Sequence, residues 1–400
     1  MPDYKAPLRD MRFVLNEVLD LDGHYAKLGL EEVNSELLNA FLEEGAKFAE
    51  NELSPLNRSG DEEGCGFENG VVTTPKGFKE AYAKYVEGGW PAMGGDPEFG
   101  GQGLPGSSSI AISEMTGTAN WSWSMYPGLS HGAVATIEAH GTDEQKQTYL
   151  PKLTSGEWTG TMCLTEAHCG SDLGLLKTKA EPQADGSYKI TGTKIFISAG
   201  EHDMAENIVH IVLARLPGAP KGTKGISLFI VPKFLTDGNG GVGERNGVAC
   251  GSIEHKMGIK ASATCVMNFD GATGYLIGPE NKGLNCMFTF MNFARLGTAI
   301  QGVAHAELGF QGGLTYAKDR LAMRSLSGAK NADGPADPII VHPDVRRMLL
   351  TSKAFAEGGR ALVYFCAQLG DTVKLAKDEE ERKEADALMA LLTPIAKAFV

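Results

Sequence analysis

The sequence contains no C-x-x-C pair and no H-E-x-x-H or comparable histidine spacing, so no metal site is expected. Its seven cysteines, at positions 65, 163, 169, 250, 265, 286 and 366, are odd in number and scattered. That pattern gives no disulfide framework and points to a reducing, cytoplasmic compartment. No leader is expected: the start, MPDYKAPLRDMRF, places charges and proline where a signal peptide needs an apolar run. Basic residues are few, 37 Lys plus Arg against 50 Asp plus Glu, a net charge of −13. A nucleic-acid partner is therefore not expected, and any anionic ligand must be met by local groups. The uncharged stretch 115–137 holds Pro127, Gly117, Gly128, Gly132 and several hydroxyls, too polar for hydrocarbon, so no transmembrane segment is expected.

Glycine is abundant, 51 of 400 residues, where roughly 7% is ordinary. Many tight turns or close backbone approaches follow. The length, with 42% hydrophobic and 22% charged residues, fits two or three globular domains. Residues 1–35 read as a lead-in extension. In 36–159, Leu37, Leu38, Phe41, Leu42 and Phe48 open a helical domain, interrupted by a Gly/Pro-rich loop at 88–106. In 160–275 the period changes. YKITGTKIFIS (188–198), IVHIVLA (208–214), ISLFIVP (226–232) and TCVMNF (264–269) predict short strands. In 276–400 the helical pattern returns, with Val345, Met348, Leu349, Phe355, Leu362, Val363, Cys366 and Leu369 as an apolar stripe, although Gly358 and Gly359 argue against an unbroken helix. The expected class is α+β multidomain: an N-terminal helical domain, a middle β-barrel-like domain and a C-terminal helical bundle. The bundle reads as truncated, because LMALLTPIAKAFV breaks off inside an apolar periodic run with no helix stop signal.

Two familiar patterns fail on context. Gly101, Gly103 and Gly106 satisfy G-x-G-x-x-G, but the preceding GWPAMGGDPEFG cannot be a buried parallel strand, so a surface loop is expected in place of a dinucleotide site. Gly128, Ser130 and Gly132 satisfy G-x-S-x-G, but no alternating βα pattern surrounds them. Small residues at a helix start, close to neighbouring backbone, are expected there in place of a hydrolase elbow.

The informative segment is TMCLTEAHCGSDLG (161–174), read as a strand end entering a Gly-Ser-Asp turn. Thr165 and Ser171 offer hydroxyls, and Gly170 lets the backbone approach something closely; such a loop can hold an anion or a flat polar heterocycle, or be an ordinary hydroxyl-rich turn. CLTEAHCGSD resembles the first signature of the acyl-CoA dehydrogenases. HGTDEQKQTYLPKLTSGEW (140–158), GTKIFISAG (192–200), EHKMGIKAS (254–262), YAKDR (316–320) and HPDVRRMLLTSKAF (342–355) resemble further segments of that family. The likeness runs from about residue 36 to the end, and the lead-in resembles an extension of larger members. Cys169 stands where the signature usually has a small residue or Asn, Leu175 where a small residue is usual, and Phe196 where Trp is frequent.

The resemblance implies an acyl-CoA dehydrogenase-like fold holding FAD. It places Met162, Cys163, Leu164 and Thr165 along the flavin ring, Phe196 and Ile197 on the neighbouring strand against it, and Ser198 near N5. It gives Arg320 the FAD pyrophosphate of a neighbouring subunit, hence a homodimer or higher oligomer. Ser171, Asn292 and Arg295 are assigned to the acyl-CoA. The implied reaction is α,β-dehydrogenation of an acyl-CoA thioester, with electrons passed to an electron-transferring flavoprotein. An oxidase of the same fold or a non-catalytic scaffold are the alternatives. The catalytic glutamate is expected beyond residue 400. Ala294 occupies the other position at which the family carries it, and Glu166 reads as structural.

Overall fold

The computed structural model describes residues 4–238 and 240–400, which group into two units. The sheet unit comprises Leu56–Leu104 and Ser122–Ala294; the helical unit comprises Met1–Pro55, Pro105–Trp121 and Arg295–Val400.

The sheet unit is built on a seven-stranded sheet. Asn207–Ala214 and Ser227–Pro232 are buried at every position, as expected for continuous apolar runs covered on both faces. They pair with each other antiparallel, and Asn207–Ala214 also pairs parallel with Trp158–Cys163. The long strand Thr264–Ile277 joins two groups of strands. Its C-terminal end pairs with Ser227–Pro232, and its earlier part pairs with Tyr188–Ser198 and Val248–Ile253. Helices Trp121–His140 and Asp143–Ser155 contribute Ile137, Tyr149, Leu150 and Leu153 to a core with Trp158, Ile211, Leu228 and Phe290. The second helix starts in a capping box, Thr142 with Gln145, which satisfies two N-terminal donors reciprocally.

Three sequence expectations need adjustment here. The region read as helical contains a hairpin, Gly66–Glu68 with Val71–Thr73, turned at Asn69 and Gly70 with φ of 51° and 80°. Two left-handed residues make the turn whose twist matches paired strands, and Asn-Gly supplies them. The G-x-S-x-G residues lie inside the helix Trp121–His140, past Pro127, not at its start. The close approach is present: Ser130 Oγ accepts from the Gly160 N–H at 3.0 Å, and a Cβ on Gly132 would overlap the Phe290 ring. Gly101 and Gly103 do lie in a loop, after short 3-10 turns, where a Cβ on Gly101 would run into the Gly95 backbone, but Gly106 opens the helix Gly106–Ala119.

In the helical unit the lead-in is core. It forms helices Leu8–Arg12 and Leu21–Leu28, and Tyr4, Met11, Leu21 and Tyr25 are buried. Asn34 caps the helix Ser35–Phe48, accepting from the Leu37 N–H at 3.1 Å. Helix Pro343–Leu375 runs unbroken through Gly358 and Gly359. Gly359 is needed for packing, since a Cβ there would press on Val400 at 2.9 Å and Val303 at 3.4 Å. Among the described residues no helix is long and apolar enough to cross a membrane.

Candidate functional site

Strand Tyr188–Ser198 alternates buried and open positions, with Ile190 and Lys194 inward. Its pairing then shifts. Lys194 faces Met267 and Ile197 faces Cys265, so Ile195 and Phe196 together oppose Val266. Two residues against one is a β-bulge, and the extra residue exchanges the faces of the strand. Ile197, which strict alternation would turn outward, is therefore buried, and Phe196 is 59% exposed with φ of 58°. A bulky side chain in the left-handed region is an outlier of the kind that clusters at binding sites.

The end of strand Trp158–Cys163 lies against this bulge. The Ile195 N–H donates to the Thr165 carbonyl at 2.9 Å, and Lys194 Nζ donates to the Leu164 carbonyl at 3.1 Å. Along this stretch Thr161 and Cys163 are buried while Met162, Leu164 and Thr165 are half-buried. Cys163 Sγ packs by Thr161 and His210, and burial pushes its thiol up to about 12. The side chains of Cys163 and Ile197 thus point into the core, leaving only their main chain for a ligand. Ser198 is half-buried at the end of its strand, opposite Thr264.

The turn after Thr165 is organised by Glu166. Its backbone exchanges two hydrogen bonds with Cys169, at 2.9 and 3.0 Å. Its carboxylate accepts from the Lys177 and Thr178 N–H groups at 2.8 and 3.0 Å, the Thr178 hydroxyl at 2.6 Å and Lys194 Nζ at 3.0 Å. Burial works to raise its pKa, but the Lys194 ammonium and these donors hold it below the usual carboxylate value. Glu166, His168 and Cys169 bring ligand-type atoms within 4.8 Å of one another. The carboxylate is filled by those donors, one of them a cation, and His168 Nε2 lies 3.0 Å from the Leu175 carbonyl, so the trio is a poor cation site. Gly170 closes on Thr165, where a Cβ would sit 3.2 Å from its methyl, and Ser171 follows, exposed.

The structure thus brings Met162, Leu164, Thr165, Phe196 and Ser198 into one neighbourhood of the sheet unit, with Ser171 on the adjoining turn. Asn292 is exposed on the helix Gly283–Asp319, in the part that belongs to the sheet unit. Arg295 and Arg320 belong to the helical unit; Arg320 is exposed beyond that helix, its carbonyl accepting from the Ile339 N–H at 2.8 Å.

An exposed aromatic with apolar neighbours, rimmed by hydroxyls, fits a flat heterocycle with polar edges. The glycine cradle at Thr165 fits close approach of its ring. The class so defined is a protein that binds a flat, polar-edged cofactor at a strained strand bulge. The chain belongs to the acyl-CoA dehydrogenase family, whose N-terminal and middle domains match residues 35–157 and 161–272. These enzymes are FAD-dependent. The chain is 45% identical over 398 residues to a 3-methylmercaptopropionyl-CoA dehydrogenase of Ruegeria pomeroyi, covering 99% of this chain and 67% of that one. It is 37% identical to a butyryl-CoA dehydrogenase of Syntrophomonas wolfei, covering 100% of this chain and 67% of that one. It therefore spans about two thirds of these relatives' length. A solved acyl-CoA dehydrogenase of Bacillus anthracis complexed with FAD aligns over 92% of this chain and 56% of that one, with 25% identity and a TM-score of 0.70.

Proposed function

We propose that the protein catalyses α,β-dehydrogenation of a short acyl-CoA thioester to the 2-enoyl-CoA and passes the electrons to an electron-transferring flavoprotein. The observation that carries this reading is the bulge that turns Phe196 outward beside Thr165. The short acyl group follows the names of the butyryl-CoA and 3-methylmercaptopropionyl-CoA relatives.

Bound FAD supplies the hydride acceptor. Phe196 packs against the ring, with Met162 and Leu164 beside it, while Cys163 and Ile197 contribute main chain only. The Thr165 and Ser198 hydroxyls bond polar ring edges and so tune electron affinity. Ser171 meets the pantetheine of the acyl-CoA. Asn292 and Arg295 meet its nucleotide end, where a guanidinium suits phosphate through paired charge-assisted bonds. Arg320 meets the FAD pyrophosphate of a neighbouring subunit in a homodimer or larger oligomer. Glu166 does not take the α-proton: that role needs a carboxylate open to substrate, and its oxygens are filled by the chain's own donors.

The test is reconstitution with FAD. The protein should turn yellow and retain flavin through gel filtration, and Ser198→Ala should shift the flavin band or its midpoint potential with folding intact. A protein that stays colourless, or a variant with unchanged spectrum and potential, contradicts the assignment.

A further inference from the structure

Lys194 has no exposed side-chain surface and Glu166 only 5%, yet they form an ion pair at 3.0 Å. A buried pair of this kind is weak evidence for stability, because desolvation offsets most of the attraction. What the pair does is join segments distant in sequence. Lys194 Nζ reaches the Leu164 carbonyl and the Glu166 carboxylate, which in turn holds the Lys177 and Thr178 N–H groups and the Thr178 hydroxyl. The strand end at 164–166, the segment 177–178 and the residue two before Phe196 are thus fixed to one another. Beyond the bulge, Ala199 is also left-handed, with φ of 54°, and its N–H donates to the Ala263 carbonyl at 2.8 Å. The exposed, strained Phe196 is therefore held from both sides, by the ion pair before it and the Ala199 tether after it.

We propose that Lys194 and Glu166 are positioning residues: together they set the spacing between Thr165 and the outward-turned Phe196, and so shape the face that receives the flavin. Neither side chain touches the ligand, since both are buried behind that face. The inference rests on the flavin reading of the preceding subsection. Its consequence is that neutralising the pair without leaving a lone buried charge keeps the fold but disturbs the face. A lone Lys194→Met would strand the Glu166 charge and confuse unfolding with mispositioning.

The experiment compares wild type, Lys194→Met/Glu166→Gln and Thr178→Val in three readouts: far-UV circular dichroism with thermal melting of the FAD-free protein, FAD dissociation constant by fluorescence, and the absorbance band of the bound flavin. The double variant is expected to keep its circular dichroism, bind FAD at least tenfold more weakly and show a displaced band. Thr178→Val, which removes one donor to the carboxylate, is expected to weaken binding a few-fold with the band displaced in the same direction. If the double variant does not fold, Thr178→Val decides alone. Wild-type affinity and band position in a folded variant overturn the positioning role while leaving the flavin reading intact. Wild-type protein that does not take up FAD overturns both.

Discussion

Arg360 and Glu114 meet inside the helical unit with neither side chain exposed: Arg360 Nε and Nη2 both donate to Glu114 Oε1, at 2.9 and 2.6 Å. Glu307 accepts from the same Nη2 at 2.8 Å, and the Tyr364 hydroxyl donates to Glu114 at 2.7 Å. One cation thus serves two buried carboxylates. Burial pushes the Glu114 carboxyl up, against the opposing pull of Arg360. Removing Arg360 leaves both carboxylates unpaired. Arg360→Met is expected to destabilise the protein by about 3–5 kcal/mol, with partial recovery in Arg360→Met/Glu114→Gln. Urea unfolding of the FAD-free protein measures both, and a loss under about 1 kcal/mol for the single variant contradicts the paired-charge account.

Phe196 separates stability from binding. Its left-handed backbone strains a bulky residue by about 1–2 kcal/mol, and glycine relieves that strain. Phe196→Gly is therefore expected to leave the FAD-free protein as stable as wild type or more so, while weakening FAD retention through loss of the ring. Parallel thermal melts and FAD titrations check the opposed signs. A destabilised variant with wild-type FAD affinity would mean the ring serves the fold and not the ligand.

Two buried histidines make stability depend on pH. His202 lies 2.9 Å from the Thr159 hydroxyl through Nε2 and accepts from the Met204 N–H through Nδ1, and His210 lies 2.7 Å from the Thr161 hydroxyl. Burial first, and Lys233 second, hold both at about 3. An unfolded histidine titrates near 6.5. Between those values the unfolded chain binds a proton that the folded one refuses. The stability is therefore whole above about 6.5 and falls as pH drops toward 3, by about 1.4 kcal/mol per pH unit for each histidine. Urea midpoints across that window should show the slope, and His210→Gln should halve this contribution. A flat profile would place protons on these imidazoles in the folded state.

Much of the architecture was readable because its signals are local. Continuous apolar runs gave Asn207–Ala214 and Ser227–Pro232. The Asn69-Gly70 turn was also readable, but it lies inside a pattern taken as helical. The bulge was not: YKITGTKIFIS reads as one uninterrupted strand, and only pairing across to Val266 reveals that Phe196 is the extra residue. Glu114 opens an uncharged stretch and would be read as its solvated edge, yet it is fully buried, because its partner lies 246 residues on. Family motifs supplied the site residues, but not which of them turn inward. Strand geometry, not residue type, puts Cys163 and Ile197 in the core.

Arg320 tests the oligomeric part of the account. If its guanidinium completes a neighbouring subunit's FAD site, Arg320→Ala should weaken FAD retention about tenfold or more, the order expected for a lost charged hydrogen bond of 1.5–3 kcal/mol. Dilution of the wild type should release flavin and dissociate subunits together, as read by light scattering alongside flavin fluorescence. A stable monomer with tightly held FAD contradicts the assignment.

The most direct measurement is anaerobic titration, with butyryl-CoA, of FAD-loaded protein that includes the catalytic glutamate expected beyond residue 400, following the visible flavin band. The account predicts stoichiometric bleaching, appearance of the 2-enoyl thioester, and return of the band when an electron-transferring flavoprotein or a dye acceptor is added. A band unchanged by butyryl-CoA and by other short acyl-CoA thioesters would contradict it.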